Sequence, residues 1–151
     1  MRRLTAFATA LLLLLAACET QKNELPQPAE LFEEIQAEAG LAGMVDVAAD
    51  LLEANTGIAP EDYTAAVYDI PEVSTAPDEI VILRAADRAA AERIREKLES
   101  YRDYRIEAAQ TYLTEHMPVL QKAVVRTDGL TVSLIISERV EDIVKVYDNY
   151  S

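Results

Sequence analysis

The sequence predicts an α+β domain: a four-stranded, mainly antiparallel sheet of two hairpins packed by one long helix, with N-terminal helices and a C-terminal helix. Three features carry that expectation. Ile80-Val81-Ile82-Leu83 is a β-branched run of the kind that fills a buried central strand. Asp87 to Met117 contains no glycine or proline and repeats apolar residues at helical spacing. Leu130, Val132, Leu134 and Ile136 alternate in period two just after Asp128-Gly129, a strong hairpin turn.

The chain opens with Arg2 and Arg3 ahead of an apolar run, Leu4 to Ala17. Those 14 residues are too few to span a bilayer as a helix, which needs about 20. They fit the core of a signal peptide whose positive end stays cytoplasmic. The run closes on Leu15-Ala16-Ala17-Cys18, which resembles the cleavage and lipidation box of bacterial lipoproteins. The resemblance implies a cut between Ala17 and Cys18, so that Cys18 becomes the mature N-terminus, carrying diacylglycerol with palmitate-like chains. One acyl chain binds a membrane marginally, whereas two hold a protein there. An uncleaved anchor and an ordinary secretory signal are the alternatives. Neither of them needs Cys18, the one cysteine of the chain. With that thiol committed, no disulfide forms and the fold rests on its core.

The expected organisation is a signal peptide over 1–17, a flexible tether over 18–29 and a single domain over 30–151. Glu19 to Ala29 is polar, with two prolines and no apolar period. Fully extended, it reaches about 35 Å, which keeps the domain close to its membrane. Two helical segments are expected between Glu30 and Asn55. Leu31, Ile35 and Ala39 mark the first; Met44, Val47, Ala48, Leu51 and Leu52 mark the second, which Gly57 stops. Thr64 to Ile70 reads as a strand ended by Pro71, paired through a longer loop with the strand from Asp78 to Ala85. Asp87 caps the long helix. At about 1.5 Å per residue it covers roughly 40 Å, so one end is expected to overhang or bend before Pro118 ends it. Strands Val119 to Arg126 and Leu130 to Ser137 follow. Glu138 to Tyr150 closes the chain as a helix with Val140, Ile143, Val144 and Tyr147 inward.

The 151 residues carry 27 acids against 14 bases, a formal charge of −13. Loss of Arg2 and Arg3 with the leader lowers it to −15. The sign is unevenly spread. Glu19 to Ile80 holds 15 acids against Lys22 alone, while Val81 to Arg126 holds nine bases against seven acids. Nucleic acid is excluded as a partner by this charge. Attraction between the acidic front and the more basic middle is expected, and a face for a cationic partner is the sharper alternative.

Chemistry-bearing patterns are sparse. His116 is the one histidine, and no nucleophile-elbow serine accompanies it, so a helix-end structural role is expected. Asp46, Asp50 and Glu53 share a helix face without a calcium-loop pattern. Glu33/Glu34, Glu61/Asp62, Asp78/Glu79 and Glu141/Asp142 are sequence neighbours that do not face each other on a helix, so solvated pairs are expected. No metal, cofactor or catalytic residue is expected. The region of interest is Tyr101, Arg102, Tyr104, Arg105 and Tyr112 on the long helix. Arg105 falls on its apolar stripe, where a charge must be paired internally or bind a ligand.

The span Asp78 to Tyr150 resembles a family of small bacterial lipoproteins with a domain of unknown function, common in clostridia-like bacteria. The resemblance is carried by Asp78-Glu79-Ile80, the charged helix running to Tyr112, Pro118, Ala123-Val124-Val125, the Asp128-Gly129 turn and Leu134-Ile135-Ile136-Ser137. It implies an envelope lipoprotein and brings no activity, cofactor or catalytic residue.

The sequence therefore leads to a membrane-anchored, non-enzymatic interaction or binding module on the extracytoplasmic face of the cell membrane. Its expected contacts are the membrane, through the lipid on Cys18, and a cell-envelope protein. The alternative is a receptor for an anionic small molecule or peptide using Arg102 or Arg105, with Tyr101 and Tyr112 beside them. A hydrolase is the weakest reading, since no nucleophile–base pair is in view.

Overall fold

The computed structural model describes residues 24–73 and 76–150. The expected signal peptide, the expected cleavage between Ala17 and Cys18, and the expected lipidation position lie outside them. Five strands form one antiparallel sheet: β1 (Met44–Asp46), β2 (Tyr63–Pro71), β3 (Glu79–Ala85), β4 (Val124–Asp128) and β5 (Thr131–Ile136). Their order is β1-β2-β3-β5-β4. The described helices are α1 (Pro28–Ala39), α2 (Ala49–Thr56), α3 (Arg88–Tyr112), α4 (Met117–Leu120) and α5 (Val140–Asp148).

The expected α+β class and antiparallel pairing hold, but the sheet has five strands instead of four. The extra strand, β1, lies where helical spacing was read. Gly40 ends α1 at φ +66°, and Gly43, at φ +68°, directs the chain into β1, both in a conformation that favours glycine. Met44, Val45 and Asp46 then pair with Pro71, Ile70 and Asp69. Met44 and Val47 pack against opposite cores, as residues three apart on a strand must. A helical spacing of two or three residues is too short to exclude that outcome.

Helices cover both faces of the sheet. Val81, Leu83 and Ala85 of β3, with Val132, Leu134 and Ile136 of β5, pack beneath Ile94, Leu98 and Tyr101 of α3. Ile80, Ile82 and Ile135 face the other way, against Leu31 and Ile35 of α1 and Ile143 and Tyr147 of α5. Residues 80 to 83 and 131 to 136 are all buried. The polar members of β5 survive burial because they are small and bonded: the Tyr147 hydroxyl donates to Ser133 Oγ at 2.8 Å. The Tyr150 hydroxyl donates to Glu34 at 2.7 Å, joining α5 to α1.

The long helix ends earlier than expected. α3 stops at Tyr112, a tight turn spans Thr114–His116, and Pro118 sits in the first turn of α4, where its missing N–H costs nothing. The residues read as the start of a strand, Val119 and Leu120, are buried in α4 against the α3 face. β4 thus begins at Val124. Gly129, at φ +63°, is the first of two residues linking β4 to β5, the place a type II′ turn gives to glycine. At the other end, α1 starts at Pro28 and Leu25 is buried, so the last residues assigned to the tether are packed into the domain.

One edge carries a like-charge pair. Asp46 and Asp69 are register partners, and burial, with Asp46 beside it, raises the Asp69 carboxyl above its usual range. A carboxyl raised in the folded state favours folding once it is protonated, and that contribution is lost as pH climbs through its folded-state value. The contribution of Asp69 to stability should therefore grow as pH falls from neutral toward the ordinary carboxylate range. Asp69→Asn should be more stable at pH 7 by a few tenths to about 1 kcal/mol. Its advantage should vanish on acidification, which urea unfolding of both proteins across pH 4–7 checks.

Candidate functional site

Two clusters of charge lie at the sheet surface, one on each face. The first is built on Glu79, the opening residue of β3. It shares the strand period of Val81 and Leu83, which aims it at α3, and its side chain is 1% exposed. The Tyr101 hydroxyl donates to Glu79 Oε1 at 2.8 Å, and Arg105 pairs with Oε2. Arg105 also donates to the Tyr101 hydroxyl at 3.1 Å, with its guanidinium 5.8 Å from the ring centre. Asn55 donates to Tyr68 at 3.0 Å on the same side of the sheet. Burial, helped by Tyr68, pushes the Tyr101 phenol far above its usual range, which keeps it a neutral donor.

The structure therefore unites Tyr101 and Arg105 and separates them from the other residues singled out on this helix. Arg102 turns to its neighbour Asp103 at 2.7 Å. Tyr104 and Tyr112 are exposed, Tyr112 to 83%, at the far part of α3. His116 is half-buried in the turn between α3 and α4. Among the described residues no group of three or more His, Cys, Asp or Glu side chains is placed to hold a metal. Asp46 stands on β1, apart from Asp50 and Glu53 on α2.

Two of the acid pairs read as solvated are split by the fold. Glu79 is buried, while Asp78 accepts a hydrogen bond from Ser137 Oγ at 2.6 Å. Asp62 is 5% exposed and accepts from Arg93 Nε at 3.0 Å and Nη2 at 2.6 Å. The signal for Glu79 was its place in the apolar alternation of β3; it was masked because every residue from Ile80 to Leu83 is apolar.

The second cluster escaped the sequence reading altogether. Arg84, next to last in β3, falls on the α1/α5 face, its side chain only 15% exposed. Arg84 donates to Thr131 Oγ1 at 3.3 Å and pairs with Glu24. Beside it, Arg126 grips Asp128 at 2.6 and 2.9 Å and lies 4.4 Å over the Tyr147 ring. A cleft of about 720 Å³ opens here, between the start of α3, the β4–β5 turn and the end of α5. It falls in the size range of small-ligand sites, about 300–1,000 Å³. Arg84, Arg88, Leu130, Tyr147 and Tyr150 are among the residues that line it, and Glu24 and Leu25 border it.

An α+β domain with two charge clusters and a cleft matches, over residues 37–137, the sequence profile of a family described as a domain of unknown function, DUF4358. The match covers 101 of the 151 residues, and the chain belongs to that family. Its span starts in α1, well before Asp78, and ends at Ser137, before α5. No curated protein and no solved structure matches the chain.

The Glu79 cluster has a direct test. Arg105→Ala leaves a buried carboxylate without its cation and should cost about 3–5 kcal/mol. Pairing Glu79→Leu with Arg105→Met should restore most of that loss. Urea unfolding of the three proteins measures both effects.

Proposed function

We propose that this protein is a lipid-anchored bacterial lipoprotein, held on the extracytoplasmic face of the cell membrane, whose domain is a non-catalytic binding module. The observation that carries the placement is the box Leu15-Ala16-Ala17-Cys18 behind Arg2, Arg3 and a 14-residue apolar run. Two chains on one glycerol give lasting attachment without a spanning helix. Among the described residues no helix is long and apolar enough to cross a membrane, so attachment on this reading rests on the N-terminal segment.

The binding half of the reading draws on charge. Arg105, expected either to be paired internally or to hold a ligand, has Glu79 as its partner, and Arg102 has Asp103. The receptor alternative thus gains support from Arg84 and its cleft in place of those two residues. A strongly acidic domain near an anionic membrane is repelled from the headgroups, which leaves its surface open to envelope proteins.

Cys18→Ser should abolish lipidation, and the protein should appear as uncut precursor or in the medium. Membrane fractionation with mass measurement of the mature chain checks this. A Cys18→Ser protein that stays with the membrane through carbonate washing would sink the anchor.

A further inference from the structure

We infer that the cleft at the end of β3 is a receptor site for an acidic peptide segment, a glutamate followed by a large apolar residue. The chain's own Glu24-Leu25 is its resident ligand. The inference deepens the binding-module reading and rests on it, while its chemistry stands on the cleft alone.

Arg84 is the anchor. An arginine buried this deeply needs a carboxylate partner. Among the described residues that partner is Glu24, which comes from the stretch before the first helix and is itself 76% exposed. The contrast with the other deep pairs is plain. The side chains of Glu79 and Asp62, the carboxylates held by Arg105 and Arg93, are 1% and 7% exposed and belong to packed elements. Glu24 is screened by water and exchangeable, whereas those two are sealed.

The guanidinium is also preset. Its Nη1 edge is fixed on Thr131, which leaves the Nη2 edge aimed at the incoming carboxylate. Arg88, at the start of α3, lines the same cleft and has no ion-pair partner among the described residues. The nearby acids are committed elsewhere. Asp87 accepts from the Ala90 N–H at 2.7 Å, and Asp128 is gripped by Arg126. With Glu24 released, Arg84 and Arg88 balance Asp87 and Asp128 in the cleft lining, and these two arginines are the cations left to meet a carboxylate.

The apolar half of the recognition is visible in Leu25. It is 8% exposed and packs with the α1/α5 core, beside the cleft wall formed by Leu130, Tyr147 and Tyr150. Acid on arginine and leucine in an apolar wall are the two contacts that define the segment. A tethered resident competes at millimolar effective concentration, so an outside peptide binds weakly until the resident is disabled.

The test uses the full chain in detergent micelles, titrated calorimetrically with N-acetyl-Glu-Leu-amide. Glu24→Ala should bind this probe at least about tenfold more tightly than wild type. N-acetyl-Gln-Leu-amide should bind neither protein, and Arg84→Gln added to Glu24→Ala should abolish binding. Equal affinity with and without Glu24, or equal affinity for the Glu and Gln probes, overturns the inference. So does a Glu24→Ala protein with lowered melting temperature and no probe binding, since Glu24 would then be structural only. If Arg84→Gln fails to fold, the paired probes on Glu24→Ala decide alone. Loss of membrane retention without loss of probe binding would defeat the anchor and leave the cleft intact; the converse would defeat the cleft alone.

Discussion

The structure depends on β3 being covered on both sides. Ile80, Val81, Ile82 and Leu83 have no face toward water, so each neighbouring element must supply an apolar surface to one side or the other. α3 answers the odd-numbered residues and α1 with α5 the even-numbered ones. The sheet is thereby the middle layer of three, although all its pairings are antiparallel, an arrangement that often leaves one face wet. Burial on this scale, at about 25 cal/mol per Å² of apolar surface, explains how a chain with no disulfide available holds together.

The uneven spread of charge along the sequence is resolved in space. Glu24, Asp62 and Glu79 come from the acid-rich front, and Arg84, Arg93 and Arg105 from the base-rich middle. Each front acid meets one middle base. The attraction expected from the sequence is therefore real, but it acts through three discrete pairs, two of them with nearly buried carboxylates. Buried pairs of this kind specify an arrangement more than they stabilise it, because desolvation offsets most of the Coulomb gain. They fix α3 in register on the sheet at two heights, Arg93 near its start and Arg105 beyond its middle.

Much of the fold was legible because period and punctuation agreed. The Asp128-Gly129 turn, the alternation of β5 and the cap at Asp87 appear where their patterns placed them, as do Val140, Ile143 and Tyr147 on the inward face of α5, where Val146 is buried more deeply than Val144. What failed did so for local physical reasons. Met44 to Leu52 has helical spacing, yet Gly43 and the open edge of β2 turn its first residues into a strand. Pro118 was read as a terminator, whereas proline also starts helices, and α4 uses it that way. Of the candidate site, Arg105 was singled out from the sequence as a charge on an apolar stripe. Its partner was hidden by the uniform apolarity of β3. Arg84 gave no local signal, because its significance arises from Thr131 and Glu24, distant in sequence.

The burial of Leu25 has a mechanical consequence for a lipid-held chain. On the proposed anchor at Cys18, six residues would separate the lipid from the seated Glu24, and they could reach no more than about 20 Å. Freeing the seated residues as far as Ala29 would lengthen it to about 35 Å. Whether that segment is docked or released would thus set how far the domain stands off the bilayer, turning one leucine into a height adjustment.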